Sequence, residues 1–188
     1  NNSNDKNVIG SLRWAVAQAS STEPTLIKVA HDFIDLAGVG RNMYVANWVS
    51  NASGTPKDIT IDFSNTNIIF ATGGFFQGPG SISSPTFKLQ NMVVENQNFG
   101  TPTNPLFANM IDFTNCRFEN LVSNFHCFQY ATTSTTTNCI FRNVVSNKSG
   151  NMVFQIVNGT HTFNDCIFDN TTGVYGGTAI VDFSRCYI

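Results

Sequence analysis

The sequence predicts an all-β protein, a single-stranded parallel β-helix of about six to seven turns with a short N-terminal capping α-helix. A ten-residue segment recurs along most of the chain, and inside each copy the alternation of apolar residues changes parity. The clearest copy is Ile111–Asn120, IDFTNCRFEN, and shifted copies are HTFNDCIFDN at 161–170 and VDFSRCYI at 181–188. Self-similarity at a fixed period predicts a solenoid, in which each repeat forms one turn.

Less regular copies extend the repeat through the middle of the chain. They are ITIDFSNTNIIF at 59–70, FKLQNMVVEN at 87–96 and STTTNCIFRN at 134–143. Aligned on one position, the copies read Thr66, Met92, Cys116, Cys139, Cys166 and Cys186, in steps of 26, 24, 23, 27 and 20 residues. Loops between short strands absorb this variation in length.

Composition predicts one domain, with an N-terminal tail and capping helix at 1–24 and the parallel β-helix at 25–188. The net charge is −2 and only 12% of residues are charged, so the chain lacks the basic field that nucleic acid attracts. No apolar run reaches the length of about 18 residues that a membrane span needs. Polar character comes from Asn, Ser and Thr, which favours an extracellular or cell-surface location.

Near the N-terminus the period changes from that of a strand to that of a helix. In GSLRWAVAQAS at 10–20, Leu12, Ala15, Val16 and Ala19 fall at i, i+3, i+4 and i+7, and Ser11 is placed to cap the first turn. This pattern predicts an amphipathic helix with one apolar stripe. Such a helix can cover the open apolar end of the first turn.

The segment GSLRWAVAQA at 10–19 resembles the GSLR-x-A-[IV] segment that precedes many right-handed parallel β-helices of the pectate-lyase-like superfamily. The NC-x-F-x-N copies and GGTAI at 176–180 are similar to repeats of bacterial surface β-helices, including autotransporter and polymorphic membrane protein passengers. The F-x-N spacing of Phe118 and Asn120 is one residue shorter than the F-x-x-N of those passengers, and GGTAI carries an inserted Thr. The resemblance implies a right-handed β-helix and an extracellular protein.

Each copy contains a corner. Ile111 and Phe113 share one parity, whereas Cys116 and Phe118 share the other, and a strand alternates strictly with a period of two. A bend at Thr114-Asn115 resolves this conflict. We expect a second bend at Asn120 and a third strand after a variable loop, where residues 125–130 align with residues 151–156.

Stacking of the turns predicts columns of equivalent residues. Two inward columns read Phe63, Leu89, Phe113, Phe163 and Phe183, and Ile68, Val94, Phe118, Phe141, Phe168 and Ile188. Asn96, Asn120, Asn143 and Asn170 form a column at the second bend. Asn tolerates left-handed backbone geometry, and stacked amides can bond from turn to turn.

The five cysteines are predicted to be buried thiols. Four of them share one column, and adjacent strands lie about 4.8 Å apart. A disulfide requires Cβ atoms about 3.8 Å apart, so stacked cysteines do not meet this geometry. We interpret them as small hydrophobic residues of the core.

Catalysis, if present, would use the outward carboxylates Asp112, Glu119 and Asp169. Their spacing of one or two turns lies in the range of glycosidase pairs or a Ca²⁺ site. The same pattern also fits a solvated ion-pair ladder with Arg142, and Lys88 is predicted to lie between Asp62 and Asp112. The chain lacks Asp-Asp, Gly-His-Gly, Arg-Ile-Lys and the pectate lyase motifs, and its histidines lack metal-ligand spacing. We therefore predict no catalytic centre, no metal and no cofactor.

Aromatic side chains suggest a different type of site. Tyr44, Trp48, Phe75 and Phe76 can stack on a sugar ring, or they can belong to the core of the first turns. The first hypothesis is a non-enzymatic extracellular solenoid, a structural, adhesive or fibre-forming surface protein with Asn/Thr-rich faces. Its C-terminal end would self-associate or continue into further repeats, and its partners would be glycans or cell-surface ligands. The alternatives are a polysaccharide lyase or hydrolase and a carbohydrate-binding module.

Overall fold

The computed structural model describes residues 12–20, 22–29, 33–35, 58–69, 76–77, 87–100, 105–108, 111–130, 133–147 and 153–188. The described chain is an all-β parallel solenoid with one short helix near the N-terminus, as predicted. The elements are α1 Leu12–Ala17, β1 Thr25–Lys28, β2 Phe33–Asp35, β3 Ile59–Ile69, β4 Phe76–Gln77, β5 Phe87–Asn98, β6 Phe107–Ala108, β7 Asp112–Thr114, β8 Arg117–Ser123, β9 Phe128–Tyr130, β10 Ser134–Thr137, β11 Ile140–Ser146, β12 Phe154–Ile156, β13 Thr160–Asn164, β14 Ile167–Asp169, β15 Val174–Gly176 and β16 Ile180–Ser184.

The strands form three sides, and every pairing between turns is parallel. The first side contains β7, β10, β13 and β16, the second contains β8, β11 and β14, and the long strands β3 and β5 run through both. The third side contains β4, β6, β9, β12 and β15. The described residues form about four turns, fewer than the six to seven predicted.

Asparagine makes the corners. Asn115 has a φ of 55° and Asn120 a φ of 53°, which is the left-handed region that Asn tolerates better than most residues. The first corner therefore lies where the parity change predicts it. The third strand also lies as predicted, because Phe128 of β9 pairs with Phe154 of β12.

The second corner differs from the prediction in one respect. Strand β8 continues through Asn120, and Leu121–Ser123 pair with Val144–Ser146 of β11. Each of these turns thus has an extra strand segment before its variable loop. Ser123 is fully buried there, and its hydroxyl accepts a hydrogen bond from Phe125 N at 3.0 Å.

The predicted register between β3 and β5 is wrong by two residues on the first side. Leu89 pairs with Ile61 rather than with Phe63, and Lys88 pairs with Thr60, so Lys88 does not lie between Asp62 and Asp112. The corner of β3 is longer than that of β5, and Ser64 and Asn65 both adopt positive φ. Phe63 is nevertheless fully buried.

Phenylalanine columns fill the interior. Phe141 stacks on Phe118 and on Phe168, with ring centroids 5.1 Å away in each direction. From the third side, Phe128 and Phe154 meet Phe141 edge to face at 5.4 and 5.0 Å. Each buried ring contributes about 1.5–3 kcal/mol, so these columns are the main source of stability.

Helix α1 packs its apolar stripe onto the same core. Leu12, Val16 and Ala19 are buried and belong to one cluster with Ile27 and Val29 that continues into the columns. The helix has six residues and is shorter than the predicted pattern. A turn closes it, in which Gln18 N donates to the carbonyls of Trp14 and Ala15.

Candidate functional site

The second side carries an ion-pair ladder. Arg142 donates to Glu119 on one neighbouring turn and to Asp169 on the other, both at 3.1 Å. The side chains of Arg142 and Asp169 are 44% and 51% exposed, and exposed pairs of this kind contribute about 0–1 kcal/mol each. Glu119 and Asp169 therefore lie on opposite sides of one guanidinium, which pairs with both.

Asp112 lies on the first side, across the Asn115 corner from Glu119 and Asp169. The structure does not bring the three candidate acids together. Asp112 Oδ1 accepts a hydrogen bond from Thr135 N at 2.7 Å. Burial raises the pKa of Asp112, against the opposing effects of that N–H and of Lys88, its neighbour in the register. Asp112 thus joins β7 to β10 through this hydrogen bond.

Asp62 is a carboxylate with several hydrogen-bond donors around it, and the sequence pattern placed it in the wrong register, beside Lys88. Its carboxylate accepts from Asn91 Nδ2 at 2.8 Å, from Ser64 N at 2.9 Å and from Gln90 Nε2 at 3.2 Å. Burial raises the pKa of Asp62, but these hydrogen bonds and Lys28 outweigh burial and lower it. The carboxylate anchors the corner of β3 to that of β5.

Two ladders of amides run along the corners. At the second corner, each Nδ2 donates to the Oδ1 of the preceding turn, at 2.8 Å from Asn170, 2.9 Å from Asn143 and 2.9 Å from Asn120, ending on Asn96. At the first corner, Asn138 donates to Asn115 at 2.8 Å and Asn115 to Asn91 at 3.3 Å. Sequence reasoning found only the second-corner ladder, although Asn precedes each aligned Met or Cys in these copies.

The first-corner column changes chemistry toward the C-terminal turns. Asp165 occupies the corner with a φ of 54°, and Arg185 occupies it on the next turn with a φ of 52°. Arg185 donates to both carboxylate oxygens of Asp165 at 2.6 and 2.7 Å, which lowers the pKa of Asp165. Between these two turns, a bidentate ion pair thus takes the place of the hydrogen bond between side-chain amides.

All five cysteines are free thiols, and four are buried. The thiol of Cys116 donates to the carbonyl of Thr114 at 3.4 Å, and those of Cys139 and Cys166 make the equivalent bond to Thr137 and Asn164 at 3.3 Å. Burial raises the pKa of Cys127 to about 12 and that of Cys139 well above its ordinary value. Cys127 and Cys139 are therefore protonated at neutral pH, and the thiols of Cys116, Cys139 and Cys166 brace the corners.

The proposed sugar-stacking residues stay predictions. Tyr44, Trp48 and Phe75 lie outside the described residues. Phe76 begins β4, and its backbone pairs with Phe107, but its side chain lies outside the description.

One shallow open groove of about 300 Å³ crosses the first corner. It is lined by Asn65, Val93, Asn115, Cys116, Arg117, Asn138 and Ile140. Within the described ranges, no three His, Cys, Asp or Glu side chains cluster as a metal site. No helix in the described part of the chain has the length and apolar character needed to cross a bilayer.

Comparisons with protein-family models, with curated proteins and with solved structures found no match. The class of protein is therefore defined by the fold alone. The chain is a parallel β-solenoid whose turns are joined by aromatic columns, amide ladders and ion pairs.

Proposed function

We propose that this chain is a non-enzymatic structural β-solenoid of the cell exterior, which assembles end to end with a second copy through its C-terminal turn. The observation that carries this proposal is the apolar end face. Phe183 and Ile188 are 41% and 78% exposed, whereas Phe163 and Phe168, their equivalents on the preceding turn, are buried.

Two sides of the solenoid contribute an edge strand to this end face. Among the described residues, β16 and β15 are the last strands of their sides, whereas β14 is already bridged by Tyr187, whose carbonyl accepts from Phe168 N. An edge strand offers unpaired backbone N–H and C=O groups, which are a template for pairing with another chain. A turn stacked on this end would satisfy those groups and bury the ring of Phe183, which stacks on Phe163 on one side at 5.2 Å.

The polar columns favour a turn of the same repeat as the covering partner. Every ladder amide donates toward the preceding turn, so the Oδ1 of Asn170 faces the open end and awaits an amide donor. Arg185 is 70% exposed above Asp165 and would pair with a carboxylate on a covering turn. A further turn of the same repeat would supply both kinds of group.

Support for the remaining parts of the proposal is chemical. The outward acids Glu119 and Asp169 both pair with Arg142, and Asp112 stands apart from them, which favours a structural role over catalysis. The neutral surface rich in Asn, Ser and Thr suits a cell exterior. The resemblance to autotransporter passengers agrees with a surface role.

We expect the chain to associate reversibly as its concentration rises, and Phe183→Asp to abolish the association because the new charge would be desolvated in the interface. Sedimentation velocity of both proteins over a range of concentrations measures this. Ile140→Asp is the matched control, since it places the same charge on a half-exposed lateral position and should associate like the wild type. A wild type that stays monomeric at all concentrations, or a Phe183→Asp variant that associates equally well, would refute the proposal.

A further inference from the structure

A buried polar pair joins two neighbouring turns on the first side. Ser134 Oγ and His161 Nδ1 lie 2.8 Å apart, and His161 Nε2 lies 2.8 Å from the carbonyl oxygen of Asn158. Ser134 is 4% exposed and His161 1% exposed. The imidazole also stacks on Tyr130, with ring centroids 5.0 Å apart. The sequence pattern did not predict this pair.

The contacts define the tautomer of this histidine. A carbonyl oxygen only accepts hydrogen bonds, so Nε2 of His161 carries the proton that binds Asn158. Nδ1 is then an unprotonated acceptor, and the Ser134 hydroxyl donates to it. While the ring is neutral the Ser134 hydroxyl donates to Nδ1, whereas a protonated Nδ1 would donate to the Ser134 oxygen and leave the hydroxyl proton without this acceptor.

The surroundings offer little to stabilise an imidazolium. The titratable group from β9 is Tyr130, which burial keeps protonated. The carboxylate of Asp112, on β7, is bonded to Thr135 N, and Asp182 on β16 alternates outward beside Val181, the register partner of His161. Among the described carboxylates, none forms an ion pair with His161.

We propose that Ser134 and His161 form a pH-sensitive lock between β10 and β13, closed when the imidazole is neutral and opened by its protonation. A proton on Nδ1 removes the acceptor of the Ser134 hydroxyl and places a charge in the apolar interior. Since β13 also pairs with β16, opening the lock loosens the C-terminal turns. This inference does not depend on the proposed assembly.

The sign of the pH dependence follows from burial. Burial lowers the pKa of His161, and the carbonyl of Asn158 offsets this only in part. The unfolded state therefore takes up a proton near pH 6.5, about the ordinary value for histidine, whereas the folded state takes it up at a lower pH. The stabilising contribution of the neutral imidazole is complete above about pH 6.5, and it is lost as the pH falls from there toward the lower pKa of the folded state.

The test compares the pH dependence of the unfolding constant of the wild type and of His161→Gln between pH 7.5 and pH 4.5. Because unfolding takes up one proton at His161, the unfolding constant of the wild type should rise as the pH falls below 6.5. For each pH unit, this rise should be about tenfold greater than that of the variant. Thr162→Val, at the neighbouring position of β13, changes no titratable group; it is the control and should keep the wild-type slope. Equal slopes for wild type and His161→Gln would overturn the proposal.

A second measurement remains decisive if His161→Gln does not fold. NMR of the imidazole nitrogens in the wild type should show the Nε2–H tautomer and a titration below that of free histidine. Ser134→Ala removes the donor to neutral Nδ1, so the His161 titration should move to higher pH. An Nδ1–H tautomer, or a titration unchanged by Ser134→Ala, would contradict the lock.

Discussion

Replacement of Phe141 by alanine should lower the free energy of unfolding by about 3–5 kcal/mol, the range for buried Phe→Ala changes. The ring is fully buried in the middle of a column and contacts Phe118, Phe168, Phe128 and Phe154. Its loss removes packing on three sides at once, and rigid strands above and below limit collapse of the cavity. Urea unfolding followed by circular dichroism measures the change.

Phe183→Ala is the matched control, because the same truncation is made at the open end. Phe183 is 41% exposed and stacks on a ring on one side only. We expect less than half of the loss seen for Phe141→Ala, measured at a protein concentration where the chain is monomeric. Equal losses at the two positions would show that the columns do not account for the stability.

Asn120→Ala should lower the free energy of unfolding by about 3–4 kcal/mol, the sum of two contributions. The variant loses the hydrogen bonds to Asn96 and Asn143, each contributing about 1 kcal/mol. It also forces alanine into a left-handed conformation that costs about 1–2 kcal/mol for a residue with a Cβ. Thermal and urea unfolding measure the sum.

Asn120→Gly separates the two contributions, because glycine adopts positive φ without steric cost but makes no ladder bonds. We expect it to recover about 1 kcal/mol of the alanine loss. A glycine variant no better than alanine would show that backbone conformation does not matter at this corner. An alanine variant as stable as the wild type would show that the ladder contributes nothing.

The repeat was sufficient to predict the parallel solenoid, because period and parity are properties of the sequence itself. A corner at Asn115 follows from the change of parity between Phe113 and Cys116. The strand segment after Asn120 could not be found in this way. Its inward position at Ser123 is polar, and only the tertiary fold shows that Phe125 N satisfies this serine.

The register of β3 was mispredicted for a related reason. Extra residues in a corner leave the alternation on either side intact, so the copies can be aligned on Thr66 and Met92 while the preceding strand is shifted by two residues. Positive φ at Ser64 and Asn65 is a tertiary outcome that the repeat does not reveal.

Some polar contacts can be predicted from the repeat, and others cannot. The grouping of Glu119, Arg142 and Asp169 follows from the alignment of the copies, since their column is regular. The pair of Ser134 and His161 joins residues 27 positions apart, and its proton arrangement depends on the carbonyl of Asn158. The position of a loop carbonyl cannot be predicted from the sequence pattern, so only the structure shows this contact.

Hydrogen exchange of β16 as a function of protein concentration tests the central claim most directly. The account predicts that amides of β16, an edge strand among the described residues, exchange quickly in dilute solution and become protected as copies assemble on the end face. Amides of β11, which already pairs with β8 and β14, should stay equally protected throughout. Protection of β16 that does not change with concentration would contradict assembly through this end.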